Sequence, residues 1–121
     1  MDAGKHRLFI GCRKPQKLIV MSTQSGKVEA SLAIGAGVDA TAAYQGQAFA
    51  SCRDGSLVVA GENAGKMEVV QVVKTPLGAR TMGLDPQTHR LFLPTAEFED
   101  PSAARPKSKP DSFMIIVVGR Q

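Results

Sequence analysis

Three similar strings recur along the chain: HRLFIGC at residues 6–12, GQAFASC at 46–52 and HRLFLPT at 89–95. Each string is followed by a polar segment and then by a second apolar string, which is KLIVM, SLVVA or FMIIVV. The pattern therefore repeats about every 40 residues, a period typical of proteins that use one small structural unit several times.

The repeat unit has the pattern of short β-strands. Its apolar segments are bounded by Gly, Pro, Asp, Asn or Ser, and in the complete copy they cover residues 38–44, 48–51, 57–60 and 67–73. Asp54-Gly55 supplies a hairpin turn, because both residue types tolerate positive φ. No window of useful length keeps apolar residues at helical spacing. The sequence therefore predicts an all-β chain.

Four antiparallel strands in about 40 residues match one blade of a β-propeller, and propellers close into rings of about four to eight blades. At that size, 121 residues encode about two and a half blades. We predict a single partial β-propeller domain with blade pieces at residues 1–35, 36–75 and 76–121. Its strands, about ten in all, should divide as three, four and three.

The composition fits an ordinary globular domain. Hydrophobic residues make up 43% of the chain and charged residues 21%, which excludes a disordered or collagen-like protein. The longest apolar run, residues 113–118, is far too short to span a bilayer. The apolar stretch near the start covers only residues 8–10, which is too short for an export signal, so we expect a cytoplasmic location for the chain as written.

Four strings resemble the C-terminal part of bacterial YVTN-repeat β-propeller proteins: GCRKPQKLIVM at 11–21, GAGVDATA at 35–42, GARTMGLDPQTHRLFLPTAEFE at 78–99 and SFMIIVVGR at 112–120. The resemblance extends over nearly the whole chain. It implies a class of proteins that usually form complete rings of about seven blades. Such proteins are often exported, and they are generally described as binding or scaffold proteins with no assigned reaction.

The chain departs from the YVTN-repeat pattern at three points. It begins inside a blade, and it lacks an export signal. In addition, Tyr44-Gln45 stands where the next copy has Asp85-Pro86. The first departure means that ring closure cannot be carried over from the resemblance to a single chain.

An incomplete ring leaves apolar blade faces and strand edges uncovered. A repeat unit cannot bury its apolar faces alone, and open edges pair readily with other chains. We therefore expect a homo-oligomer that pools its blades, with a closed dimer favoured and a trimer as the second choice. The alternative is a fragment or a small open sheet whose ends are covered by loops.

Four residues are candidates for a ligand site at the mouth of a central channel. Asp39 and Arg80 occupy the same position in adjacent copies, on what should be the innermost strands, where they either form an ion pair or face a ligand. Thr95 ends the third repeat string, and Glu97 follows it closely. Binding residues are often carried by loops on a rigid scaffold, and ligand sites favour convergent polar groups.

The histidines and cysteines are better explained by structure than by chemistry. His6 and His89 both precede Arg-Leu-Phe, which predicts a structural role at equivalent turns, and no carboxylate stands at metal-ligand spacing beside them. Cys12 and Cys52 end equivalent strings and are predicted to be reduced packing residues. A disulfide between them is the alternative, which is disfavoured because the two strands belong to neighbouring repeats.

Residues 95–112 form a long proline-rich excursion between two predicted strands. Loops of this length are usually functional or disordered. We expect a mobile surface loop, and the alternative is a loop that binds a partner or covers a blade.

Basic residues cluster near the start of the chain at Lys5, Arg7, Arg13, Lys14 and Lys17. Such a cluster can attract nucleic acid, but Phe9 is the one aromatic residue in that region and its repeat position predicts burial. We therefore expect a solvated or edge-protecting surface rather than a nucleic-acid site.

No catalytic residues, metal site or cofactor are predicted, because the sequence contains no nucleophile elbow, phosphate-binding loop or dinucleotide fingerprint. The predicted function is a non-catalytic β-propeller binding or scaffold module that self-assembles, with an unknown protein or small-molecule ligand. The alternatives are a propeller enzyme, either a hydrolase or an oxidoreductase, and a remnant of a longer propeller protein. The enzyme alternative depends on analogy of fold alone.

Overall fold

The protein, described here by a computed structural model over residues 1–120, consists of ten β-strands in three antiparallel sheets. The N-terminal sheet contains β1 (Arg7–Cys12), β2 (Lys17–Ser22) and β3 (Val28–Ala33). The central sheet contains β4 (Val38–Tyr44), β5 (Gln47–Cys52), β6 (Ser56–Asn63) and β7 (Lys66–Lys74). The C-terminal sheet contains β8 (Gly83–Asp85), β9 (Arg90–Thr95) and β10 (Met114–Gly119).

Strand order within each sheet follows the chain. The all-β class and the division into three, four and three strands are confirmed. Over residues 1–120 the structure has no helix, and hence no helical segment able to cross a membrane.

The three repeat strings begin at equivalent turns. His6, Gly46 and His89 each precede a strand and have φ values of 53°, 75° and 58°. Positive φ is easiest for glycine, and histidine is among the side chains found there more often than average. The turn position predicted for both histidines is therefore confirmed.

Asp2 and Asp85 also occupy equivalent positions. Asp2 forms an isolated antiparallel bridge with Arg7, just as Asp85 pairs with Arg90 between β8 and β9. Each aspartate also accepts a backbone hydrogen bond within the following turn, from Lys5 in the first case and Gln87 in the second. The repeat therefore extends beyond the strings that first reveal it.

Large and small side chains alternate across the space between the N-terminal and central sheets. Phe9, Leu18 and Val20 lie in one buried cluster with Ala48 and Ala50 of β5. Large residues that face alanines let two sheets approach closely, and β1 lies along β4 while β3 lies along β7. This contact forms the larger of the two apolar clusters.

A second cluster joins the central and C-terminal sheets. Leu57 of β6 is buried together with Leu91 and Leu93 of β9, and Ala79 completes the group. Side chains that are partly buried, including Phe49 of β5, pack around it. The central sheet therefore contributes apolar residues to the spaces on both of its sides.

Cys52 lies in the first of these clusters and is fully buried. Burial raises the pKa of its thiol, and a protonated thiol is a poor nucleophile. Cys12 and Cys52 are both free thiols, so the structure agrees with the predicted packing role and not with a disulfide.

An ion-pair network links the N-terminal and central sheets on the surface. Glu62 of β6 accepts hydrogen bonds from Arg7 Nη1 at 2.8 Å and Lys5 Nζ at 3.0 Å, while Arg7 Nε also donates to Glu29 at 2.8 Å. The Arg7 guanidinium, followed by the Lys5 ammonium, holds the pKa of the Glu62 carboxyl below its usual value. The network therefore depends on an ionised Glu62.

Replacing Glu62 with glutamine is expected to lower the thermal midpoint at neutral pH, because Arg7 and Lys5 lose their shared partner. A carboxyl with a lowered pKa stabilises the folded state above its unfolded pKa, and this contribution disappears as the pH falls through the folded pKa. The difference in thermal midpoint between wild type and Glu62→Gln should therefore disappear at acidic pH. Calorimetry at neutral and acidic pH measures it.

The matched control is Glu99→Gln, which removes the same charge from an exposed residue that makes no ion pair within residues 1–120. This control should leave the midpoint almost unchanged, as is usual for isolated surface charges. Equal midpoints for Glu62→Gln and wild type at pH 7 would contradict the role of the network.

Candidate ligand-binding cleft

The four residues predicted for a channel-mouth site lie at the end of the sheets where β4 begins and β9 ends. Asp39 of β4 accepts hydrogen bonds from Arg13 Nη2 at 3.1 Å and from Thr81 Oγ1 at 3.0 Å. Of the two alternatives for Asp39 and Arg80, the ion pair between them is therefore wrong, because Arg13, which follows β1, pairs with Asp39 instead.

Arg80 does not lie on an innermost strand, and this prediction is also wrong. β8 begins only at Gly83, and the preceding segment runs across the end of the central sheet. Gly78 N donates to the Arg53 carbonyl at 2.9 Å, and the Arg80 carbonyl accepts a hydrogen bond from the Ser51 hydroxyl. These bonds attach the segment to the central sheet before it can pair with β9.

Thr95 and Glu97 also have partners within the protein. Thr95 ends β9, is buried, and donates its hydroxyl to the Leu77 carbonyl at 3.1 Å. Glu97 is exposed, and its carboxylate pairs with Lys109 Nζ at 3.2 Å. Thr95 contacts the segment before β8, as Asp39 does, whereas Glu97 lies in the long loop.

The long loop between β9 and β10 folds back on itself. Phe98 and Ser108 form an antiparallel bridge, and the backbone N–H groups of Glu99 and Lys109 donate to Lys107 and Glu97 at 3.0 and 2.8 Å. The Phe98 ring lies close against Gly78, so that a Cβ at that glycine would clash with it. The loop predicted at residues 95–112 therefore packs against the segment that precedes β8.

A cleft of about 510 Å³ lies between the central and C-terminal sheets, away from these four residues. Strands from both sheets provide its apolar walls, through Phe49, Leu57, Val59, Val73, Leu84, Leu91 and Val118. Within residues 1–120, strands of these two sheets are less closely packed than β1 against β4 or β3 against β7. The looser packing leaves the cleft open.

Two hydrogen-bonded contacts cross the mouth of the cleft. The Tyr44 hydroxyl lies 2.9 Å from the Pro86 carbonyl and 3.2 Å from His89 Nδ1, and the Tyr44 and His89 rings meet edge to face at 5.4 Å. A phenol has one proton, so if Tyr44 donates to Pro86 then His89 Nδ1 is the donor to Tyr44. The second contact joins Arg120, which follows β10, to Gln47 of β5: Arg120 Nη2 donates to Gln47 Oε1 at 2.8 Å.

Among residues 1–120, the mouth carries positive charge without a matching carboxylate. Arg120 makes no ion pair within residues 1–120, and no Asp or Glu lines the cleft. The polar lining consists of Tyr44, His89, Arg120 and the glutamines at positions 45, 47 and 71. Such a cleft can hold an apolar molecule and contact an anionic group at its entrance.

This cleft was not predicted from the sequence, although one signal pointed towards it. Tyr44 and Gln45 are the residues that depart from the repeat, and both line the cleft. Gln45 and Gly46 have φ values of 47° and 75° and form a two-residue hairpin turn, whereas the equivalent turn after Asp85 is longer. The short turn places Tyr44 where its hydroxyl reaches the following sheet.

Comparison with models of known protein families finds no match, and comparison with curated proteins finds none either. Over residues 1–120 no group of three or more His, Cys, Asp and Glu side chains is arranged to hold a metal ion.

Proposed function

We propose that this chain is a non-catalytic β-propeller binding or scaffold module, related to the YVTN-repeat proteins and completed by a second copy of itself. Three sheets of the same repeat follow one another along the chain and pack face to face. The observation that carries the proposal is that the outer faces of the first and last sheets have the same apolar pattern as the inner ones.

The outer face of the N-terminal sheet is built like a buried face. Its apolar side chains come from β1 and β2, in register with one another: Leu8, Ile10, Ile19 and Met21. The repeat aligns Leu8 and Ile10 with Leu91 and Leu93, which are 5% and 0% exposed against the central sheet. Leu8 is 36% exposed, because no sheet of the same chain covers it.

The outer face of the C-terminal sheet shows the complementary pattern. Phe92 and Pro94 of β9 stand opposite Val117 and Ile115 of β10. The repeat aligns Phe92 with Phe9, which is buried against the central sheet. Val117 and Ile115 are 51% and 54% exposed, a costly arrangement for β-branched side chains in water.

A head-to-tail contact between two copies would reproduce the packing found inside each chain. The outer face of the C-terminal sheet is equivalent to the face with which each of the first two sheets packs on the sheet after it. The outer face of the N-terminal sheet is equivalent to the face with which each of the last two sheets packs on the sheet before it. Two copies together supply six sheets, within the range of about four to eight at which propellers close. Three copies would exceed it, which favours the dimer.

Light scattering on the purified chain is expected to give twice the chain mass of 12.8 kDa at micromolar concentration. Val117→Glu should weaken association at least tenfold, because it places a charge in the proposed contact. Circular dichroism should show an unchanged fold, since Val117 is exposed in the single chain.

The matched control is Val72→Glu on β7, an exposed valine outside both outer faces. This variant should remain dimeric. A monomeric wild type, or equal loss of association in both variants, would overturn the proposed assembly.

A further inference from the structure

We infer that the cleft between the central and C-terminal sheets binds a small apolar monocarboxylate, with the hydrocarbon between the sheets and the carboxylate at Arg120. This inference specifies the ligand of the binding function proposed above. It does not depend on assembly, because one chain supplies every lining residue.

The size and lining of the cleft suit a small ligand. Its volume of about 510 Å³ falls within the range of roughly 300 to 1,000 Å³ that is common for small-molecule sites. The apolar walls reach from the level of Gln47 at the mouth to Leu57, which pairs with Ser51 on β5. Four residues of strand correspond to about 13 Å, enough for a medium-length alkyl chain or two fused rings.

Arg120 selects for an anionic group. A guanidinium has five N–H donors, and the structure engages one nitrogen of Arg120 with Gln47. The remaining donors can hold a carboxylate through paired, charge-assisted hydrogen bonds. Because no Asp or Glu of the described residues 1–120 lines the cleft, a bound carboxylate would not be repelled by their acidic side chains.

The fluorescence of Tyr44 can report ligand binding. It is the single tyrosine in a chain without tryptophan, and it stands at the mouth of the cleft in contact with His89. A ligand in the cleft would lie close to Tyr44, which lines it. The ultraviolet fluorescence of the protein should therefore change in a saturable way as the cleft fills.

The test is calorimetric titration of the full chain with decanoate, with 2-naphthoate and with decanol, together with Tyr44 emission for the two aliphatic ligands. We expect saturable binding of one carboxylate per chain, and binding of decanol at least tenfold weaker. Decanoate and naphthoate separate an alkyl ligand from an aromatic one, and saturable binding of either or both supports the inference.

Two variants locate the site. Arg120→Gln should weaken carboxylate binding at least tenfold without changing the weak binding of decanol, because it removes the charge and leaves the apolar walls. Gln71→Trp introduces a bulky ring at an exposed position that lines the cleft. It should weaken the binding of all three ligands without unfolding the protein. The matched control is Arg105→Gln, an exposed arginine of the long loop outside the cleft, which should bind as wild type.

Three results would overturn the inference: no saturable binding of either carboxylate, equal affinity for decanol and decanoate, or equal effects of Arg120→Gln and Arg105→Gln. Light scattering on the same samples keeps this test separate from that of assembly. A monomer that binds decanoate would contradict the proposed dimer and support the proposed ligand. A dimer that binds neither carboxylate would support the dimer and contradict the ligand.

Discussion

Replacement of Leu93 by alanine is expected to lower the free energy of unfolding by about 3 kcal/mol. Leu93 is fully buried between the central and C-terminal sheets, in the cluster formed with Leu57 and Leu91. The substitution removes apolar contacts and leaves a cavity. The surrounding strands cannot close it easily, because the backbone of β9 is held in register opposite Ile116 of β10. Urea unfolding followed by circular dichroism measures the loss.

The control for this prediction is Val72→Ala, which also removes methyl groups from a strand but at a site that is 58% exposed. It should change the stability by no more than about 0.5 kcal/mol. Both variants must be compared at one chain concentration, since association adds to apparent stability. A loss below about 1 kcal/mol for Leu93→Ala would show that the second apolar cluster is not packed as described.

Gly55→Ala is expected to cost about 3 kcal/mol, for two reasons that act together. Gly55 has a φ of +90°, where a residue with a Cβ is strained. A Cβ there would also lie 2.8 Å from the Thr75 carbonyl oxygen. That oxygen cannot move away freely, because Thr75 N donates to the Gly55 carbonyl at 2.8 Å. The substitution should therefore loosen the contact between the β5–β6 turn and the end of β7.

Gly65→Ala separates the effect of backbone strain from that of the close contact with Thr75. Gly65 has a φ of +79°, but a Cβ there would have no neighbour within 4 Å. This variant should lose only about 1 kcal/mol, from conformational strain alone. Thermal unfolding of the two variants side by side gives the difference, and equal losses would mean that Thr75 does not restrict the turn.

Much of the fold could be predicted because its signals are local. The predicted segment 38–44 coincides with β4, since an apolar alternation ends there at a Gly-containing turn. The predicted segment 57–60 is shorter than β6, which runs from Ser56 to Asn63. The polar end of β6 gives no apolar signal, and its residues are strand only because they pair with Lys66, Met67 and Glu68 of β7.

The predicted equivalence of Asp39 and Arg80 was wrong because equivalent positions in a repeat need not have equivalent neighbours. Asp39 and Arg80 align in sequence, yet Asp39 lies in a strand and Arg80 precedes one. The difference comes from contacts made at a distance along the chain, such as Gly78 with Arg53. Nothing in the residues around Arg80 alone encodes that contact.

The order of strands and turns was already contained in the amino-acid sequence, because alternating apolar residues and turn-forming Gly, Asp and His act on their immediate neighbours. The spacing between sheets was not contained in the sequence. The same holds for the cleft, the partner of Asp39 and the contact between Tyr44 and His89. These depend on how side chains from segments 26 to 45 residues apart along the chain fill a shared space. Only packing in three dimensions brings those side chains together.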